Sequence, residues 1–574
     1  MNKGSMKHWL RIIGTFVIFG LSLSGVRLEA AGCAGADLVV QHAHLITMDS
    51  SRRTASAMAV RNGTIIAVGS DPEISPCIDA RTKVLDLAGR TVLPGLIDVH
   101  THAILWAEGV LRNEIDLTYP AVKSIPNVIA AVEKRVASAT PGVWITGTGW
   151  DDAKLAERRY ITRQDLDAIS PNNPVYLEHI TGHLGVANSV ALKLTGISPD
   201  SPNPRGGVIE HDDKGELTGI VKDNAMRLVG EKIPGDLPEL FVKAAELASN
   251  SAAEVGLTTI HDIWDGVRPF SQEIRGYQQL HQRGDLKIRV LMAPGVATLS
   301  DAEELARMGV HTGFGDDHLK FGAVKMFSDG GMGARTAAIY PPAPVGQPES
   351  NLGLLIWKPE DLQKAQYILA SAGWQLSTHA IGDRAIDEVL DGYATTVKKL
   401  NLQDPRFRII HCGISTPKIL QRLQEQHIVV DADPAFVYWI GSYFERYGPD
   451  RARWAYPTKS YFDHGVVAGA GSDTPVTPIS PWWGLWAAVV RQEVNSGKVL
   501  APEERVTVMQ ALEMYTRNGA FAGFEEKQKG SLEVGKFADF IVIDRDVLAV
   551  PTDELKQVRV LRTFVDGQSV YESR

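Results

Sequence analysis

Cysteine is scarce, three in 574 residues. None stands where a nucleophile is expected. Cys412 falls inside a predicted buried strand and reads as a small core residue, so a thiol protease has no support. Long basic runs are missing, and with them a phosphate-gripping surface, which argues against nucleic-acid partners and against nuclease or phosphatase chemistry. The formal charge of −9 is mild for this length, and there is no acidic tail. No Gly-x-Gly-x-x-Gly follows any predicted strand, which leaves a dinucleotide-binding open sheet as the weaker fold reading. Beyond the N-terminus no apolar run is long enough to cross a bilayer.

The N-terminus differs. Lys3, Lys7 and Arg11 precede the apolar run Ile12 to Val26, and small residues follow at Ala30, Ala31 and Gly32. This is the layout of a secretory signal over 1–32, with export to the periplasm or beyond as its consequence. An uncleaved membrane anchor stays open, because no Ala-x-Ala site is present. In an oxidising compartment Cys33 and Cys77 can pair.

What the chain does contain is a repeating α/β texture. Short strands are expected at Ala36–Val40, Ala57–Val60 and Thr64–Gly69, the last two joined by an Asn62-Gly63 turn. Similar strands recur at Phe540–Asp544, Val558–Val565 and Ser569–Tyr571. Two all-β pieces at opposite chain ends combine most simply into one small β-sandwich, spanning 33–93 and 528–574. Between them, eight apolar runs begin near Gly95, Gly256, Ile288, Gly322, Gln375, Phe407, Ile428 and Val466. Helical stretches at Glu239–Glu254, Pro359–Ala372, Asp383–Leu400 and Pro417–Gln426 separate some of them. That alternation predicts an α/β fold, a (β/α)8 TIM-like barrel over 94–527. The span from about 107 to 235 is too long for one βα unit, so it is expected to be an insertion over the barrel mouth.

In such a barrel the C-terminal strand ends converge on one site. His100 and His102, two apart on the first strand, share a face, as two ligands of one cation would. His261 and Asp262 end the second strand. Lys325 lies on the fourth, with Asp329 and Arg335 following. His379 ends the fifth, His411 the sixth, and Asp473 follows the eighth. Five of eight strand ends thus carry a metal-competent side chain.

The motifs that contain these residues are Leu93-Pro94-Gly95-Leu96-Ile97-Asp98-Val99-His100-Thr101-His102, Val324-Lys325-Met326-Phe327-Ser328-Asp329-Gly330, Ser377-Thr378-His379-Ala380-Ile381-Gly382-Asp383, Ile410-His411-Cys412 and Gly471-Ser472-Asp473. Together they resemble the amidohydrolase superfamily, in its amidohydrolase-3 branch, which includes N-substituted formamide deformylases. The resemblance implies one or two divalent ions, zinc being the expected metal. His100, His102 and Asp473 resemble the ligands of one ion, and His379 and His411 those of a second. Lys325 matches a lysine that becomes a bridging carbamate; an unmodified Lys325 paired with a carboxylate such as Asp329, beside a mononuclear centre, stays open. The implied chemistry is hydrolysis of a C–N bond in a small-molecule amide, with water acidified by the metal and Asp473 shuttling its proton. His183 resembles part of the segment that covers the site, where it either binds the substrate carbonyl or serves as a fixed contact. His261 is expected behind the site. Trp482, Trp483 and Trp486, with Trp106 and Trp150, are open to two readings: a substrate-pocket wall or packing on the barrel. Cyclic amides, imides and carbamates are the rival substrates, and a non-catalytic regulatory or binding protein is the rival class. No membrane partner beyond the export signal is expected; homo-oligomerisation is left open.

Overall fold

The computed structural model describes residues 33, 35–51, 54–235, 238–264 and 270–573. The expected signal segment lies outside these residues. No described helix is long and apolar enough to cross a membrane.

The central strands run where buried apolar segments require them. They are β1 (Leu96–Thr101), β2 (Leu257–Ile263), β3 (Arg289–Ala293), β4 (Val324–Phe327), β5 (Leu376–Ala380), β6 (Arg408–His411), β7 (Val429–Ala432) and β8 (Ala468–Ala470). Each begins one or two residues after the start expected from sequence. Nearly all their residues are buried, as they must be in a parallel sheet covered on both faces. Strands β1, β2 and β3 pair in parallel, and the short strand Leu319–Phe321 continues that sheet beyond β3. Strands β4 to β8 pair in parallel in a second sheet. A bridge between Gly295 and Lys325 joins the two sheets on one side. At the other, Asp473 N donates to His100 O across 2.8 Å. This is a TIM-barrel-like α/β arrangement.

Local chemistry sets the flanking helices. Pro359–Ser371 and Pro417–Glu425 both open with proline, whose fixed φ suits a first helical position. Asp383–Leu400 ends on Asn401 in the left-handed conformation. Between β1 and β2 the chain also builds a separate six-stranded sheet, from Ile115–Asp116 to Leu217–Asp223.

Two further sheets follow: one of four strands, built from 38–86 alone, and one of six strands that joins N-terminal strands to Phe540–Ile543, Val560–Val565 and Gln568–Glu572. They share an apolar core that includes Leu38, Val40, Met58, Val92, Phe540 and Phe564. Asn62 and Gly63 both have positive φ, as the hairpin turn there demands. Arg289 ties the central strands to these sheets through a buried two-point pair with Asp539, at 2.7 and 3.0 Å. Cys33 and Cys77 are disulfide-bonded across 44 residues. On the chain-entropy model a loop of that size is worth about 4 kcal/mol. Cys77→Ser is therefore expected to lower the denaturant midpoint of the terminal sheets while leaving kcat intact. An unchanged unfolding curve would show that the bond adds no stability.

Candidate metal centre

The strand ends bring His100, His102, Lys325, His379, His411 and Asp473 together. His102, Lys325, His379, His411 and Asp473 line one cavity of about 1030 Å³. His100, fully buried, lies against Asp473. Asp473 Oδ1 is 3.0 Å from His100 Nε2 and 3.2 Å from His102 Nε2. Ligand atoms of His100, His411 and Asp473 all fall within 4.8 Å of one another. The His379 ring lies beside His411, centroids 4.8 Å apart. The family resemblance implies two ligand sets, with His411 in the second; in the structure His411 packs directly against His100 and Asp473.

Electrostatics favour a cation here. Burial, reinforced by Lys325, pushes His100 down to about 3. Burial likewise holds His379 and His411 well below the usual imidazole range. Neutral imidazoles are what a metal needs. Neither ring nitrogen of His100 or of His379 makes an aligned hydrogen bond, an expensive condition for buried polar atoms unless something else occupies their lone pairs. Burial raises the Asp473 carboxyl, but His100, His102 and His411 outweigh it and hold the group well below its ordinary value. Backbone strain gathers at the same place: His411, Cys412 and Asp473 have φ of 67°, 48° and 50°. Such residues cost about 1–3 kcal/mol each and persist where the surroundings fix them.

Partners behind these groups aim them. His102 Nδ1 lies 2.6 Å from Ile263 O, which makes Nδ1 the donor and leaves Nε2 for the site. His411 Nδ1 is 2.6 Å from Asp433 Oδ2. Asp98 accepts from the backbone amides of His100 and Ser472 and so pins the first strand to the eighth. His261 is not among the converging groups; its Nδ1 accepts from Arg408 Nη1 at 2.9 Å.

Lys325 is buried, and burial lowers it to about 8 against the pull of Asp473, Asp431 and Asp433. Its ammonium lies 4.3 Å from the Phe327 ring centroid, and among the described residues it makes no ion pair. The alternative pairing with Asp329 is absent for a physical reason. Asp329 is taken up by three backbone amides, of Ala338, Ile381 and Gly382, at 2.8–3.0 Å. Arg335 lies over the Tyr160 ring at 5.3 Å.

Of the two readings of the tryptophan segment, the structure favours packing over a pocket wall. Trp482, Trp483 and Trp486 sit on the helix Pro481–Val490, and Trp483 and Trp486 pack with Tyr438. Trp150 is buried in the six-stranded sheet, its indole donating to Leu177 O. The cavity's tryptophans are Trp264 and Trp357. Sequence reasoning also passed over Asp433, Asp431 and Arg408. A signal existed: Asp431 interrupts an otherwise apolar strand, and Asp433 follows immediately after its end.

A second acidic group, Asp151, Asp152 and His179, also brings three potential ligands together. Lys154 lies 2.8 Å from Asp151 and Arg446 2.8 Å from Asp152, so its charge is already balanced.

A TIM-barrel-like scaffold whose strand ends converge three buried imidazoles and a carboxylate defines a metal-dependent hydrolase. The chain belongs to the amidohydrolase family, whose model matches residues 83–571, and it is a metal-dependent amidohydrolase. It is 31% identical over 549 residues to the N-substituted formamide deformylase of Arthrobacter pascens, covering 93% of this chain and 98% of that one. It is 32% identical over 552 residues to the protein LONG AFTER FAR-RED 3 of Arabidopsis thaliana, covering 93% and 92%. A solved metal-dependent hydrolase from Pyrococcus horikoshii superposes with a TM-score of 0.71 at 25% identity, over 90% of this chain and 99% of that one.

Proposed function

We propose that this enzyme hydrolyses the C–N bond of an N-substituted amide, using a divalent ion held by His100, His102, His411 and Asp473. The supporting observation is the convergence of lone pairs around one ionised carboxylate: burial keeps His100 and His379 neutral and neither makes an aligned hydrogen bond, while His102 and His411 spend Nδ1 on Ile263 O and Asp433. Imidazole and carboxylate donors suit zinc. Lys325, buried, unpaired and inclined toward its neutral form, is suited to carbamate formation, which would let it and His379 hold a second ion. When bound there, such an ion would supply Lewis acidity, lowering the pKa of a water and polarising the substrate carbonyl. Asp473 accepts the proton released as the water oxygen bonds to the carbonyl carbon, and returns it to the nitrogen as the C–N bond breaks. His183, which lines the cavity, meets the substrate carbonyl oxygen.

The likeness to a formamide deformylase supports a small N-substituted amide as substrate. The disulfide at Cys33 supports the exported reading, with 1–32 as signal. The terminal sheets then form the sandwich (33–93 and 528–574), with 94–527 as barrel and about 107–235 as the covering insertion.

Metal analysis of the purified protein, with hydrolysis of a panel of N-formyl and N-acyl amines, cyclic amides and carbamates, tests this. We expect one or two equivalents of metal, turnover of open-chain amides, loss of activity on chelation and recovery on adding zinc. Bound metal with no turnover across the panel would favour a binding protein; turnover confined to cyclic substrates would replace the substrate class.

A further inference from the structure

Asp223 is a buried carboxylate whose only ion-pair partner among the described residues is a histidine. Its Oδ1 lies 2.8 Å from His183 Nδ1, and its Oδ2 has no hydrogen-bond partner. The two residues are bonded a second time through the backbone, Asp223 N donating to His183 O at 3.0 Å. They stand at facing ends of the antiparallel strands Leu184–Ala187 and Leu217–Asp223. Asp223 adopts φ 48°, a conformation that Asp and Asn tolerate better than most residues. Burying a carboxylate with so little compensation is costly, so its position calls for a reason beyond stability.

Both residues line the cavity that holds the candidate metal ligands, and the His183 ring lies 4.9 Å from that of His379. The loop after β4 is cut away to admit them. A Cβ on Gly330 would come within 2.5 Å of Asp223 Oδ1, and one on Gly331 within 2.5 Å of His183 Cδ2. Neither glycine has positive φ, so the requirement there is close approach, not backbone freedom.

We propose that Asp223 is a positioning residue for the hydrolysis: by occupying Nδ1 it fixes the His183 ring and presents Nε2 to the substrate, with Gly330 and Gly331 as its seat. A carboxylate on one ring nitrogen limits ring rotation and aims the other at the place where charge develops on the substrate. The covering sheet thereby supplies one substrate-contacting group to a site otherwise built from barrel strand ends. This inference rests on the hydrolase reading above.

Asp223→Asn keeps shape and backbone preference while removing the charge. With the metal-loaded enzyme and its best amide, kcat is expected to fall about 100-fold, with KM within about threefold and metal content unchanged. Gly331→Ala, which pushes on the His183 ring, should act similarly. The double variant Asp223→Asn/His183→Ala should be no worse than His183→Ala alone. Histidine-selective 15N spectra report the pairing without turnover: a His183 Nδ1–H resonance, assigned by its loss in His183→Gln, should shift in Asp223→Asn. Wild-type kcat in Asp223→Asn, or multiplicative losses in the double variant, overturns the proposal. If the wild type turns over nothing, the hydrolase reading has failed, and a His183 signal insensitive to Asp223→Asn then overturns the pairing by itself.

Discussion

Replacing Asp473 by Asn is expected to cost at least about 10³-fold in kcat while most of the bound metal stays. Asn preserves the outline of the side chain, and its amide oxygen can take the place of Oδ1, 3.0 and 3.2 Å from the Nε2 atoms of His100 and His102. It cannot accept the proton of an attacking water, and the negative charge that balances a dication is gone. Metal affinity is expected to fall, but in the proposed centre His100, His102 and His411 remain, so occupancy at a saturating divalent ion should be retained. Asp473→Ala removes the oxygen altogether and should lose both metal and rate. Elemental analysis beside steady-state kinetics separates the two effects. A near-normal kcat in Asp473→Asn would remove this residue from the proton path and leave it a structural carboxylate.

Asp473 and His100 were legible in sequence because period-two alternation and burial act locally. Two histidines spaced by one residue share a face wherever a strand ends, and Gly469 to Ser472 mark a strand too small-sided to be anything but buried. The same locality explains the strand starts, each found within two residues of expectation. What stayed open in sequence depended on packing between distant segments. Trp483 and Trp486 of Pro481–Val490 pack with Tyr438, whereas Trp264 and Trp357 reach the cavity, and no local pattern distinguishes the two fates. The choice for Asp329 between Lys325 and backbone amides turned on where the start of the helix Asp383–Leu400 comes to rest. Asp223 had no local mark of importance, since its partner lies forty positions away across two antiparallel strands.

Arg408 carries the largest expected effect on stability. It is essentially fully buried in β6 and each face of its guanidinium fork is used. Nε and Nη2 reach Asp431 at 2.9 and 2.8 Å, Nη2 also donates to Val99 O at 2.7 Å, and Nη1 donates to His261. Arg408→Ala leaves Asp431 buried with Ser377 Oγ, at 3.5 Å, as its remaining side-chain hydrogen-bond donor among the described residues. Removing one partner of such a pair costs about 3–5 kcal/mol, because the remaining charge is stranded in low dielectric. Arg408→Lys restores the charge but not the fork, so it should recover only part of the loss. Arg408→Met/Asp431→Leu removes both charges together and should regain most of the stability, since the pair's attraction mainly offsets its own desolvation. Activity is expected not to follow. Val99 precedes His100, and without the Arg408 donor neither that carbonyl nor His261 keeps its partner, so the double variant should unfold late in urea yet turn over slowly. A single Arg408→Ala variant within about 1 kcal/mol of wild type in the same titration would contradict this account, and a fully active double variant would free the metal site from any dependence on the network beneath it.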